Sequence, residues 1–515
     1  MRGRNVARLM VSFLIRSAQA LACASWAVAP ASPSFRSCSG RLSFSRRLKP
    51  ALYVVLSLLL TAAAPATNAL IDAAKNADRD AVRRFVQEKA DVNAVEADGT
   101  SALHWSSYRD DMESAEQLIK AGANVNAAND LGATPLWIAS LNGSAAMVRR
   151  LLQGGANPNA ALLLGETPLM AASRSGNADI VGQLLTRGAS VNARAARGQT
   201  ALMWAVAQKH PDVVKVLLDR GADVHAKSES WSQVEAVSPH GHLEYNRAIP
   251  YGNNTPLMFA ARAGDLASAK LLVASGANVN DEDARGITVV TLAAHSGFVD
   301  LVTFLLDKGA DPNKSAAGFA PLHEAIMRRD EALVRTLLAH GADPLARLQT
   351  WTPTRRQSSD FHFEPELVGA TPYWLAARFW QPNVMRLLVE LGADPLLVHR
   401  SDKVVDGKEG RAYEHRYDAT NALMAALGMG GGGNAWVQPD RSQREALALD
   451  TVKLAVELGI DVNAANTDGR TALDAAKTLK YETVVAYLES KGAKSGKPDK
   501  KEEPAQQRDN PDGRF

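Results

Sequence analysis

The chain has 515 residues, of which 46% are hydrophobic, 22% charged and only 6% aromatic, with 37 Gly and 23 Pro. These fractions exclude collagen-like, wholly disordered and polytopic membrane chains, and the length allows two to four domains or one long repeat array. The formal charge of +3 is unevenly spread: nine of the 58 Lys and Arg lie in the first 69 residues, where there is no acid, so the other 49 face all 55 Asp and Glu and leave a net charge of −6.

In chain order, the basic group Arg46-Arg47-Leu48-Lys49 precedes a charge-free stretch from Pro50 to Ile71, densest over Ala51 to Leu60, and small residues then offer cleavage after Ala66 or Ala69. A basic region, a short apolar core and a small-residue exit are the order of a secretory signal. Residues 1–69 are therefore expected to be a leader that exports the rest to a periplasm or the exterior. The rival is an uncleaved membrane anchor through residues 51–70. Spanning takes about 20 apolar residues, whereas the dense core here holds about a dozen before Pro65. Residues 1–45 are Arg- and Ser-rich and acid-free, which fits either an organelle transit peptide or a start site assigned too early. Both cysteines, Cys23 and Cys38, lie in this leader. The exported part then has no disulfide, no Cys-ligated metal and no thiol nucleophile, and packing alone stabilises it.

From there on the chain repeats. The phrase Gly-x-Thr-Pro-Leu-x-x-Ala occurs at Gly132–Ala139 and Gly165–Ala172, with Gly198–Ala205 a near copy and looser ones starting at Gly99, Asn253, Gly286, Gly318, Gly369 and Gly469. A second phrase, Leu-Leu-x-x-Gly-Ala-Asp/Asn, trails each copy. Its glycines fall at Gly122, Gly155, Gly188 and Gly221, then Gly276 and Gly309, a spacing of 33 within each series. Each part has a physical reason. Thr134 can cap a helix by accepting from a free amide, and Pro135 suits the first turn because its missing N–H would be unpaired there. Gly143, Gly176, Gly264 and Gly297 can end that helix in a left-handed conformation. Val148 to Leu152 and Val214 to Leu218 carry Val-x-x-Leu-Leu, an apolar stripe for a second helix. The Asp- and Gly-rich stretch before the next Thr predicts a projecting β-turn.

With this period and phrase the sequence resembles the ankyrin repeat family. Eleven copies end at Ala90, Ala123, Ala156, Ala189, Ala222, Ala277, Ala310, Ala342, Ala393, Asp461 and Ala493. The resemblance implies an all-α repeat solenoid over residues 70–493, with a non-catalytic protein-binding role. Residues 494–515 are almost free of apolar side chains and are expected to form a disordered charged tail. Ser101, Thr134, Thr167, Thr200, Thr255, Thr288, Ala320, Thr371, Asn421 and Thr471 mark the helix starts, and longer steps reveal four insertions at about 227–250, 346–368, 397–418 and 428–444. An insertion must leave the stacked helices as a loop. The first three lengthen the projecting turn, while the fourth separates the two helices of one unit. Trp231, His240, His242, Tyr245 and Tyr251 in the first, and Trp351, Arg355, Arg356, Phe361, His362 and Phe363 in the second, either anchor an interface or fold back onto the array.

Chemical motifs are sparse. His240, His242 and Glu244 offer zinc-ligand types in a loop, and a metal- or cofactor-binding accessory or enzyme built from the insertions is the alternative function. Gly428-Met-Gly430-Gly-Gly-Gly433 imitates a dinucleotide fingerprint but lacks the surrounding βαβ context. No catalytic, cofactor or metal residue is assigned, and no cofactor is expected. His104 and His323 occupy the family's structural His place; Trp137 replaces that His and is expected to be partly exposed. Carried over from the family, the ends of the first helices line a binding face: Tyr108, Arg109, Leu141, Asn142, Arg174, Arg262, His295, Arg328, Arg378 and Phe379, joined by Trp231 and Trp351 from the insertions. The Arg content favours a protein partner with an acidic surface, unless these cations only serve the helix C-termini near them. Nucleic acid is not expected because the body is net acidic, and a monomer is.

Overall fold

The computed structural model describes residues 66–235, 247–352, 363–406, 413–431 and 438–496. Most of the leader, the loop His-His-Glu group at 240–244, Arg355, Arg356, Phe361, His362, Tyr245 and the tail beyond Gly496 lie outside them. The described chain forms two compact units, divided between Asn157 and Pro158.

The first unit holds three helix pairs: α1 (Ala66–Lys75) with α2 (Arg79–Gln87), α3 (Ala102–Tyr108) with α4 (Met112–Lys120), and α5 (Pro135–Asn142) with α6 (Ala145–Gln153). The second unit continues with α7 (Pro168–Ser175), α8 (Ala178–Thr186), α9 (Ala201–Ala207), α10 (Pro211–Asp219), α11 (Pro256–Ala263), α12 (Leu266–Ala274), α13 (Val289–Ser296), α14 (Val299–Asp307), α15 (Pro321–Met327), α16 (Glu331–Ala339), α17 (Pro372–Arg378), α18 (Pro382–Glu390), α19 (Ala422–Ala426), α20 (Arg444–Glu457), α21 (Ala472–Leu479) and α22 (Glu482–Ser490). Odd-numbered helices pack on odd, and even on even, along each unit. This is an all-α repeat solenoid, with eleven helix pairs among the described residues.

The repeated phrase forms the helix starts by local chemistry. The Oγ1 of Thr134 accepts from the N–H of Trp137 at 3.2 Å, and Pro135 fills the first turn of α5. Gly143 closes α5 with φ of +73°, a conformation that disfavours any Cβ. Short helices like these are marginal alone and depend on buried faces. Leu136, Ala139, Val148 and Leu151 supply that face in α5 and α6, and all are fully buried. Trp137 is also buried, contrary to the expectation of partial exposure: the place of the structural His points into the stack and not outward.

A second device ties neighbouring pairs together. After the even helix an Asn reaches the next pair: the Nδ2 of Asn192 donates to the Gly221 carbonyl at 3.1 Å, while its Oδ1 accepts from the N–H of Asp223 at 2.9 Å. Asn93, Asn126, Asn159, Asn280, Asn313 and Asn463 do the same. The three turn-lengthening insertions follow pairs whose equivalent residue is His225, Leu345 or Leu396, none of which has an amide to make the tie.

Two insertions are ordered β-hairpins instead of plain loops. β1 (Trp231–Glu235) pairs antiparallel with β2 (Arg247–Tyr251), and β3 (His399–Asp406) with β4 (Tyr413–Thr420). Strand pairing satisfies backbone groups that a long loop would leave to water. The second insertion folds back: Phe363 is fully buried, with ring centroids 5.0 Å from Phe319 and 6.4 Å from His323. No helix among the described residues is long and apolar enough to cross a membrane.

Candidate interaction surface

The odd-numbered helices end with carbonyls that have no partner inside the helix. The residues expected to bind a partner largely answer that need. Arg109 Nε donates to the Lys75 carbonyl at 3.0 Å, and Asn142 Nδ2 to that of Tyr108 at 3.0 Å. Arg328 Nη1 donates to the His295 carbonyl at 2.7 Å, and Arg378 Nε to that of Gly431 at 3.0 Å. Arg174 instead pairs with Glu166 at 3.1 Å and lies 5.3 Å from the Trp204 ring. His295 Nδ1 meets Glu324 Oε2 at 3.0 Å. Arg262 and Leu141 are half-buried, and Tyr108 packs edge-on against Trp105 with centroids 5.9 Å apart. The acidic-partner expectation loses its footing here, since the guanidiniums at these four positions already serve backbone or carboxylate. Phe379 is 2% exposed and offers no surface at all, because the turn after α17 folds it into the core.

Burial sets the protonation of this side of the array. Burial raises the Glu166 carboxyl, and the charge of Arg174 offsets part of the rise. Burial lowers His104, His323 and His399, so each stays neutral. In the first two the roles follow from the partners. The N–H of Ala320 donates to His323 Nδ1 at 2.9 Å, leaving Nε2–H to donate to the Ala346 carbonyl at 3.1 Å. His104 links the Ser101 N–H and the Ala133 carbonyl likewise.

The projecting turns form the other accessible edge. Successive turns of the second unit join through backbone bonds: Ala196 N–H donates to Leu164 O at 2.7 Å, Glu229 to Arg197 at 2.8 Å, and Ala284 to Gly252 at 3.1 Å. Trp231 is half-buried, stacked on Tyr251 with centroids 5.8 Å apart; Arg197 lies over the Trp231 ring at 4.7 Å, and Arg285 lies 5.4 Å from Tyr251. Two turn-tip arginines thus contact the paired aromatics of the first hairpin. Trp351 is half-buried in the second insertion. Sequence reasoning passed over Leu163 and Leu164, 75% and 72% exposed on the turn before α7. The signal was present, since Leu162-Leu163-Leu164-Gly165 stands where other units carry polar turn residues.

Family models for ankyrin repeats match residues 70–162, 154–228 and 257–347, and a second ankyrin model matches 202–273, together more than half of the chain. The chain belongs to the ankyrin repeat family. It is 35% identical over 103 residues to an ankyrin repeat-containing protein of Treponema pallidum (strain Nichols), covering 19% of this chain and 35% of that one. It is 32% identical over 262 residues to the ankyrin repeat and KH domain-containing protein of Caenorhabditis briggsae, covering 48% of this chain and 9% of the relative. Palmitoyltransferase ZDHHC13 of Homo sapiens is 34% identical over 98 residues, 19% of this ankyrin chain and 16% of the enzyme. The chain thus spans about a third or less of these curated relatives.

Proposed function

We propose that this ankyrin protein is an exported, non-catalytic scaffold that binds another protein through its turn edge and insertion hairpins. The observation that carries the reading is the family match over an array whose helix-end cations are already engaged internally, while the turn edge holds exposed leucines and a half-buried tryptophan. Rigid, pre-ordered surfaces of this kind favour association because little freedom is lost on binding. Photo-cross-linking from Trp231 and Leu163 in the native compartment, with identification of the captured protein and its affinity remeasured from purified components, tests the role. Absence of any specific adduct at the turn edge counts against it.

Export rests on the order of basic, apolar and small residues in the leader. Because α1 begins at Ala66, a cut after Ala66 leaves the helix nearly whole, whereas one after Ala69 removes its first turn. Amino-terminal sequencing of the mature protein is expected to read from Thr67. A blocked or full-length amino terminus favours the anchor through residues 51–70.

A further inference from the structure

The turn before α7 lacks a side-chain brace that three other turns of the array possess, as does the turn after it, where Ala195 holds the same place. Asn129, Asp283 and Asn466 each occupy the fifth position before a helix-capping Thr, and each side chain accepts two backbone N–H groups of its own turn at 2.8 to 3.2 Å. Leu162 holds that position before Thr167 and can accept neither. The backbone turn survives, with Leu162 N–H donating to Glu166 O at 3.0 Å and Gly165 N–H to Leu162 O at 2.8 Å. Leu162 itself is half-buried, whereas the two residues after it, Leu163 and Leu164, stand 75% and 72% in water. Two adjacent leucines left this far in water make an apolar spot on the turn.

The neighbouring turn abuts this one through the Ala196–Leu164 bond and carries Arg194 and Arg197, both exposed and neither in an ion pair among the described residues. The arginines of the helix ends differ in having backbone or carboxylate partners. Arg197, with φ of +61°, is exposed and its guanidinium lies over Trp231 at 4.7 Å. The two turns together offer an aliphatic pair beside two exposed cations, one of them, Arg197, set over Trp231.

We propose that the Leu163–Leu164 turn and Arg194 with Arg197 form one docking surface for a segment of another protein that carries apolar side chains flanked by carboxylates. The leucines supply the apolar contact and the guanidiniums bind the carboxylates, bidentately where geometry allows. The body of the chain is net acidic, so attraction acts at contact range and not through the overall field. This inference rests on the protein-binding role proposed above and assigns it a place.

The full chain is panned against a phage-displayed library of random peptides, and the enriched peptides are measured on the parent, a Leu163→Ser/Leu164→Ser variant and an Arg194→Gln/Arg197→Gln variant. Circular dichroism confirms that each variant is folded. The enriched peptides are expected to place Leu, Phe or Trp beside Asp or Glu. They are expected to bind the leucine variant about tenfold more weakly or worse, and the arginine variant more weakly with a flatter salt dependence. Peptides that bind the leucine variant as well as the parent, or whose consensus lacks acids, overturn this surface while leaving protein binding elsewhere on the array intact. A library that yields no binder to any part of the chain counts against the protein-binding role as well. Self-association abolished by the leucine substitutions in sedimentation velocity assigns the turn to a second copy and also overturns the inference.

Discussion

At the scale of single residues, the buried histidines give the fold a defined response to acid. His323 is lowered to about 4, with burial as the main cause, against about 6.5 in the unfolded chain. Between those values the unfolded state takes up a proton that the folded state refuses, so stability is complete above pH 6.5 and is lost as pH falls toward 4. For His323 alone the loss is on the order of 3 kcal/mol, and His104 and His399 shift in the same direction. Urea unfolding followed across this range is expected to show the decline, with a shallower slope for His323→Asn. A slope unchanged by that substitution contradicts the assignment. The structural place of these histidines was legible, because the phrase around them is local. The duty of Arg328 was not: it bonds the carbonyl of His295, 33 residues earlier, and only the stacking of two units brings them together.

Between residues and molecule stand the helix pairs and hairpins, and here legibility depended on whether the signal was periodic. Thr, Pro and Gly punctuate α5, α7 and α11 so regularly that their bounds could be written down in advance. The hairpins carry no repeated phrase, and five-residue strands such as β1 leave too few positions to establish an alternation. Their docking also depends on a contact that no spacing announces. Gly252 has φ of +95°, and a Cβ there would stand 2.0 Å from the carbonyl oxygen of Glu229. Gly252→Ala is therefore expected to push β2 off the neighbouring turn, at a cost of at least about 1 kcal/mol. Faster amide hydrogen exchange across Trp231–Glu235, with the helix pair α7 and α8 unaffected, is the expected observation. Unchanged protection of β1 contradicts it.

At the scale of the whole molecule, an array of this class is stabilised by terms within each repeat and between nearest neighbours, so damage at one end stays there. The last pair closes against the chain that follows it. Thr471 Oγ1 donates to the Lys494 carbonyl at 3.0 Å, and Gly496 N–H donates to Asp474 Oδ2 at 2.9 Å. Burial opposes the Asp474 charge, but the hydrogen bonds from Thr471 and Gly496 outweigh it and hold the carboxyl below its ordinary value. Truncation after Ala493 is expected to raise amide exchange in α21 and α22 while α1 to α6 keep their protection; a global loss of cooperativity contradicts this. Asp474 also has a meaning for growth of the array. It occupies the place where His104 and His323 offer an N–H to a carbonyl of the following segment, yet it presents an acceptor. A further repeat duplicated onto this end would set carbonyl oxygen against carboxylate. The last pair thus reverses the hydrogen-bond polarity at this one side chain, and its carboxylate closes on the N–H of Gly496 in place of a carbonyl.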